Sequence, residues 1–167
     1  MIPVHGALSH LKRCLKSVGE VFCENTSVIL VLDGLADNLK PEVHAFASRN
    51  ERVLVIEQLH MGPGVARNAG LRNSVSDYVY FLDMDDTVMP DGFRRAKLEL
   101  ARQPVDIVRC GGQINPTDAS NAAAMSDGST KYAPLVKIPK VLEGHELRNF
   151  RSGGVNISTS PGLHFFR

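Results

Sequence analysis

Cysteine is scarce in this sequence. Cys14, Cys23 and Cys110 lie far apart, form no C-x-x-C pair and have no histidine beside them at zinc-ligand spacing. That argues against a zinc site and for reduced, buried thiols in a cytosolic protein. Charge of one sign is lacking too: 19 Lys and Arg against 18 Asp and Glu leave a net charge of +1, with no basic stretch interleaved with aromatics. Nothing here marks a nucleic-acid-binding surface, so no nucleic acid is expected as a partner. Apolar runs stay near five residues, far short of the roughly 20 that span a bilayer, and no leader-like segment opens the chain. The expectation is a cytoplasmic protein, peripheral at most to the inner face of a membrane. Neither G-x-x-x-x-G-K-[ST] nor G-x-G-x-x-G occurs, and no internal repeat is visible.

What is present is the composition of an ordinary globular protein. The 167 residues are 43% hydrophobic and 22% charged, a length that fits one domain. Short apolar runs at 28–32 (V-I-L-V-L), 53–56 (V-L-V-I), 78–82 (Y-V-Y-F-L) and 105–108 (V-D-I-V) read as strands buried on both faces. Segments of helical period lie between them. Leu8, Leu11, Leu15, Val18 and Phe22 form one stripe, with Ser9 as a cap near its start; Val43, Phe46 and Ala47 form a second. Phe93, Ala96, Lys97 and Leu100 follow Pro90, which suits a first helical turn. Alternating strands and helices predict a doubly wound, mostly parallel α/β sheet, whose ligands bind beyond the carboxyl ends of the strands. From about residue 111 the texture changes: 113–130 is small and polar and reads as a long loop, and 141–150 as a short helix carrying Glu143, His145 and Glu146.

Three places fall at carboxyl ends of predicted strands: Asp33-Gly34, the loop from His60 to Gly64, and Asp83-Met84-Asp85-Asp86. Three acids within four positions at the end of a buried strand need a compensating charge. Hard oxygen ligands suit Mg²⁺ or Mn²⁺, which fill their remaining positions with water and substrate phosphate. G-P-G-V-A-R-N-A-G-L, at 62–71, is a glycine-rich turn entering a helix. There Gly62 and Gly64 permit close backbone approach, unpaired amides favour an anion, and Arg67 and Asn68 stand within reach of it. The same run also suits a plain loop and a solvated arginine. Asp33 could accept from a base or ribose or simply shape a turn, His60 reads as a loop histidine, and Arg109 as a strand end.

Two families write strings of this kind. L-D-M-D-D-T resembles the first motif of the haloacid-dehalogenase-like phosphatases, which would make Asp83 a nucleophile and Asp85 a general acid. The later acidic pair of that family has no convincing match downstream. A second resemblance covers five segments in order across 2–86: I-P-V-H-G, L-x-x-C-L-x-S, V-I-L-V-L-D-G, G-P-G-V-A-R-N-A-G-L and Y-V-Y-F-L-D-M-D-D. Together they resemble the family 2 glycosyltransferases of GT-A fold. P-D-G-F and I-S-T-S-P-G-L-H-F-F-R continue the likeness, the latter resembling the segment before the acceptor site.

That resemblance implies a metal-dependent, inverting transfer of sugar from a nucleoside-diphosphate sugar, a UDP-sugar first among them, to a carbohydrate or lipid-linked hydroxyl. By position it makes Pro3 and Val4 line the nucleotide pocket and Asp33 accept from the base. It sets Gly62, Gly64, Arg67 and Asn68 by the nucleotide and its phosphates. Asp83 and Asp85 become the D-x-D metal pair, holding Mn²⁺ or Mg²⁺, and Asp86 orients the sugar or a metal-bound water. Residues 1–110 would form the nucleotide-sugar-binding core and 111–167 an incomplete acceptor side of the same domain.

The departures are a single acid before Gly34, few residues ahead of I-P-V, and no acidic motif to name as the catalytic base. The corresponding expectations are a chain truncated at both ends, a first strand whose loss bares the middle of the sheet, and, as a non-enzymatic alternative, an inactive donor-binding remnant whose fold another chain completes.

Overall fold

The computed structural model describes residues 1–23, 25–102, 107–109 and 164–166. In the order of the chain it runs β1 (Ile2–Val4), α1 (Leu8–Val21), β2 (Val28–Asp33), α2 (Lys40–Ala47) and β3 (Val53–Gln58). Then follow α3 (Pro63–Arg72), β4 (Val79–Tyr80), α4 (Pro90–Arg102), β5 (Ile107–Arg109) and β6 (His164–Phe166). The expected loop at 113–130 and helix at 141–150 lie outside the described residues, as do Cys110 and the histidine and glutamates of that helix.

V-I-L-V-L-D forms a strand buried along its whole length, because both its faces are covered. Val28, Leu30 and Leu32 pack with Leu11, Leu15 and Val18 of α1 and Val43 of α2. Ile29 and Val31 pack on the opposite side against Ala66 and Ala69 of α3. Each large aliphatic side chain so buried contributes about 2 kcal/mol through water exclusion. β3 departs from the expectation of burial on both faces. It pairs only with β2 in this sheet, and its residues are intermediate or exposed.

The first strand is present, contrary to the expected loss. Ile2, Pro3 and Val4 pair parallel with Leu30, Val31 and Leu32, and β2 pairs parallel with β3 from Val28–Val53 to Asp33–Gln58. On the other edge of β1 the Met1 nitrogen donates to the Tyr80 carbonyl at 2.8 Å, and Leu82 N donates to the Met1 carbonyl at 3.0 Å. The middle of the structure is therefore bonded on both sides, and the residues after β4 are carried to the carboxyl end of β1. There β6 pairs antiparallel with both β4 and β5.

Helix starts follow local chemistry less than expected. α1 begins at Leu8 behind Ala7 without a side-chain cap, so Ser9 lies inside the first turn and Phe22 just past the last. Pro90 does open α4, where its missing N–H costs no hydrogen bond.

Candidate functional site

The carboxyl ends of β1, β2 and β4 and the loop before α3 enclose a cavity of about 270 Å³. Its walls include Pro3, His5, Asp33, His60, Asp83 and Asp85. Strand alternation explains the first of these. Ile2 and Val4 turn into the core, so Pro3 between them faces the cavity while Val4 is fully buried. The expectation that Val4 lines the pocket is corrected on that ground.

Asp33 is 2% exposed and its carboxylate is fully engaged. Oδ1 accepts from Gln58 Nε2 and from the Met61 amide, both at 2.8 Å, and Oδ2 accepts from the Gly62 amide at 2.9 Å. His60 Nδ1 lies 3.0 Å from Oδ2. Burial alone would push this carboxyl up, but the Met61 amide, Gln58, the Gly62 amide and His60 together hold it below its ordinary value. With about four acceptor positions on a carboxylate, the observed contacts use them all. Asp33 thus organises the loop into α3, accepting from the Met61 and Gly62 amides just ahead of the helix's first turn. His5 Nδ1 lies 3.0 Å from the Asp33 carbonyl, and the His5 and His60 rings stack at 4.4 Å between centroids.

Gly34 explains how His60 comes so close. Its φ is +65°, and a Cβ there would stand 2.6 Å from His60 Cβ and 3.0 Å from His60 N. Gly34→Ala is expected to lower stability by about 2–3 kcal/mol, from left-handed strain plus displacement of the loop. Urea unfolding of the two proteins measures it.

The acid stretch forms a tight turn in which Asp86 N donates to the Asp83 carbonyl at 3.0 Å. Asp83 is partly buried and ion-paired through Oδ1 with Arg67 of α3, at side-chain exposures of 33% and 22%. Among the described residues, Arg67 Nε is a buried side-chain nitrogen without a hydrogen-bond partner. Asp85 and Asp86 are exposed. Partial burial and the neighbouring Asp85 and Asp83 nevertheless push the Asp86 carboxyl up from its ordinary value, with Arg13 opposing. Beneath the turn, burial and then Asp86 push the Cys14 thiol up to about 12, which keeps it neutral.

These donors fit a small divalent cation. Surplus negative charge accumulates at Asp85 and Asp86, and the oxygens are hard. Among the described residues no three Asp, Glu, His or Cys side chains converge as a ligand set.

Of the residues singled out from sequence, the fold brings Pro3, Asp33, Asp83 and Asp85 onto one cavity. It sets Arg67 beside them through Asp83 and places Gly62 at the N-cap of α3 with φ +88°, donating to Asp33. Gly64 is in the first turn of α3, and Asn68 is exposed one residue beyond Arg67. Asp86 closes the turn on the exposed side. The contributions of His5 and Arg13 carried no sequence signal, since each depends on a partner far along the chain.

Comparison with known proteins gives the family and the fold. The model of the family described as glycosyl transferase family 2 matches residues 1–150. Glycosyltransferase GlyA of Streptococcus pneumoniae serotype 4 is 31% identical over 107 residues, which cover 64% of this chain and 15% of that protein. The uncharacterised glycosyltransferase EpsJ of Bacillus subtilis is 31% identical over 111 residues, covering 66% of this chain and 32% of its own length. The chain therefore spans a third or less of these relatives. Among solved structures, S. aureus TarS 1–349 in complex with UDP superimposes at a TM-score of 0.63 with 19% identity, over 71% of this chain and 36% of that one. The Pyrobaculum calidifontis mannosyltransferase PcManGT, in complex with GDP-Man and Mn²⁺, gives 0.55 with 21% identity, over 72% and 36%. The α/β fold described above is of the GT-A type. Among the described residues no helix is long and apolar enough to cross a membrane.

Proposed function

Because the chain belongs to glycosyl transferase family 2, we propose that its cavity binds a nucleoside-diphosphate sugar, a UDP-sugar first among them, for metal-dependent, inverting transfer to a carbohydrate or lipid-linked hydroxyl. The observation that carries this reading is Arg67. Its guanidinium is paired with the cavity-lining Asp83 yet its side chain stays 22% exposed, a fixed donor that a phosphate oxygen can still meet. Family membership also favours transfer over the phosphatase chemistry that Asp83 and Asp85 resemble locally.

In the proposed reaction the acceptor oxygen bonds to the anomeric carbon as that carbon's bond to the diphosphate breaks, and the acceptor's proton leaves to a base. No described residue is assigned as that base. Arg67 would stabilise negative charge gathering on the diphosphate, as an oriented donor in a partly dry site. Asp85, with Asp83, would hold Mn²⁺ or Mg²⁺, which when bound supplies Lewis-acid stabilisation of the same charge. Asp86 would orient the sugar or a metal-bound water. Pro3 would line the nucleotide pocket, and Gly62, Gly64 and Asn68 would border the phosphates. Asp33 would hold the loop between them, or meet the base if its internal bonds exchange. The same reading assigns 1–110 to donor binding and 111–167 to the acceptor side, with the protein working in the cytoplasm.

Thermal unfolding with UDP, Mn²⁺ and both together tests this. At a hundredfold excess over Kd, the pair is expected to raise Tm by about 5 °C or more, beyond the sum of either alone. No shift with any nucleoside diphosphate would end the reading. Hydrolysis of para-nitrophenyl phosphate would revive the phosphatase, and binding without transfer would identify a donor-binding remnant.

A further inference from the structure

We propose that Arg13 is a positioning residue for the turn that carries Asp83, Asp85 and Asp86, fixing its main chain so that the carboxylates stay available to a cation; the inference rests on the donor-site reading above. Arg13 lies on α1, outside the cavity, at an unspecified position of the segment L-x-x-C-L-x-S. Its Nη2 donates to the main-chain carbonyl of Asp85 at 2.8 Å. The bond goes to the carbonyl, so it anchors the turn while leaving the carboxylate of that residue free of it.

The same flank of α1 holds the turn at two further points. Ser17, one helical turn on from Arg13, accepts from the Val88 amide at 3.0 Å and donates to the Cys14 carbonyl at 2.8 Å. Cys14 Sγ lies 4.0 Å from the Asp83 carbonyl. α1 itself is a rigid base, because Leu11, Cys14, Leu15, Val18 and Val21 are all buried in the main core. Each contact reaches a main-chain atom of 83–88, across about seventy residues of sequence.

The turn needs such a hold for an electrostatic reason. Three carboxylates within four residues repel one another, and a turn anchored at one end only would relax by splaying them apart. A cation site requires the opposite, with oxygens kept close before the ion arrives. Groups that orient metal ligands typically govern affinity by about 10- to 100-fold.

Arg13 is exposed, so its variants are expected to fold. Two measurements on the full chain decide the matter: hydrogen exchange of the 85–88 amides without metal, and Mn²⁺ affinity in the presence of UDP by water-proton relaxation. Arg13→Ala is expected to speed exchange at 85–88 and weaken Mn²⁺ binding about tenfold, and Arg13→Lys to restore most of both. If Arg13 acted only as a charge, removing it beside three acids would tighten Mn²⁺ binding. Tighter binding in Arg13→Ala, or unchanged exchange with unchanged affinity, overturns the proposal. Wild-type protein that binds no Mn²⁺ with UDP overturns the donor-site reading and this inference with it, a result distinct from wild-type binding that Arg13→Ala leaves untouched.

Discussion

Asp85→Ala is expected to remove the Mn²⁺-dependent part of UDP binding, weakening it at least about a hundredfold, while leaving the metal-free protein as stable as wild type to within about 0.5 kcal/mol. The two halves of that expectation come from different atoms of one residue. Its carboxylate is exposed on the turn and is the group offered to the cation. Its carbonyl, which accepts from Arg13, survives the substitution. The fold therefore loses no buried contact, and relief of repulsion in the acid cluster acts slightly in its favour, since Asp85 is one cause of the raised Asp86 carboxyl.

Calorimetric titration of UDP with and without Mn²⁺ measures the effect. A metal-dependent increment that persists in Asp85→Ala would move the cation elsewhere, with Asp83 and Asp86 as the remaining acids. Loss of UDP binding even without metal would instead mean that Asp85 touches the nucleotide. Either result would leave the fold assignment standing, because the sheet and the family match do not depend on this side chain.

Much of the fold can be read from the chain because its signals are local. V-I-L-V-L announces β2, and Leu11, Leu15 and Val18 announce α1, since burial on a strand or a helix face repeats at fixed spacing. The acid turn and Arg67 are legible for a similar reason: both follow a strand or open a helix, so their place at the carboxyl ends follows from the alternation alone. What could not be read depends on partners far along the chain. β1 has three residues, too few to show a period, and it is a strand because Leu30 and Leu32 and the Met1 contacts to Tyr80 and Leu82 make it one. β6 is equally short, and its place between β4 and β5 is set by pairing with residues near 79 and 108. The resemblance covers Pro3 and Val4 together, whereas a strand sends consecutive residues to opposite faces, and Val4 is the one that enters the core. Arg13 looks like any solvated helix residue until the turn it holds is seen beside it.

Asp33→Ala is the substitution expected to cost the fold most, about 3 kcal/mol or more, equivalent to roughly 6–12 °C in Tm. Removing the carboxylate leaves the Met61 and Gly62 amides and the Gln58 side chain without their acceptor in a partly buried loop. Asp33→Asn would not rescue it fully. One of its two atoms becomes a donor facing amide donors, so at least one amide stays unpaired. The pH dependence follows from the depressed carboxyl: its stabilisation is present above the unfolded value near 3.9 and is lost as pH falls through the lower folded value. Wild type should therefore lose stability more steeply than Asp33→Asn below about pH 4, and the two curves should run parallel above about pH 5. The same variants separate two roles for this residue. If Asp33 acts through the loop, UDP affinity and stability fall together, because the start of α3 and Arg67 lose their support. If stability holds while UDP affinity collapses, the carboxylate meets the base directly, and the bonds to Met61 and Gly62 must exchange for it when the donor enters.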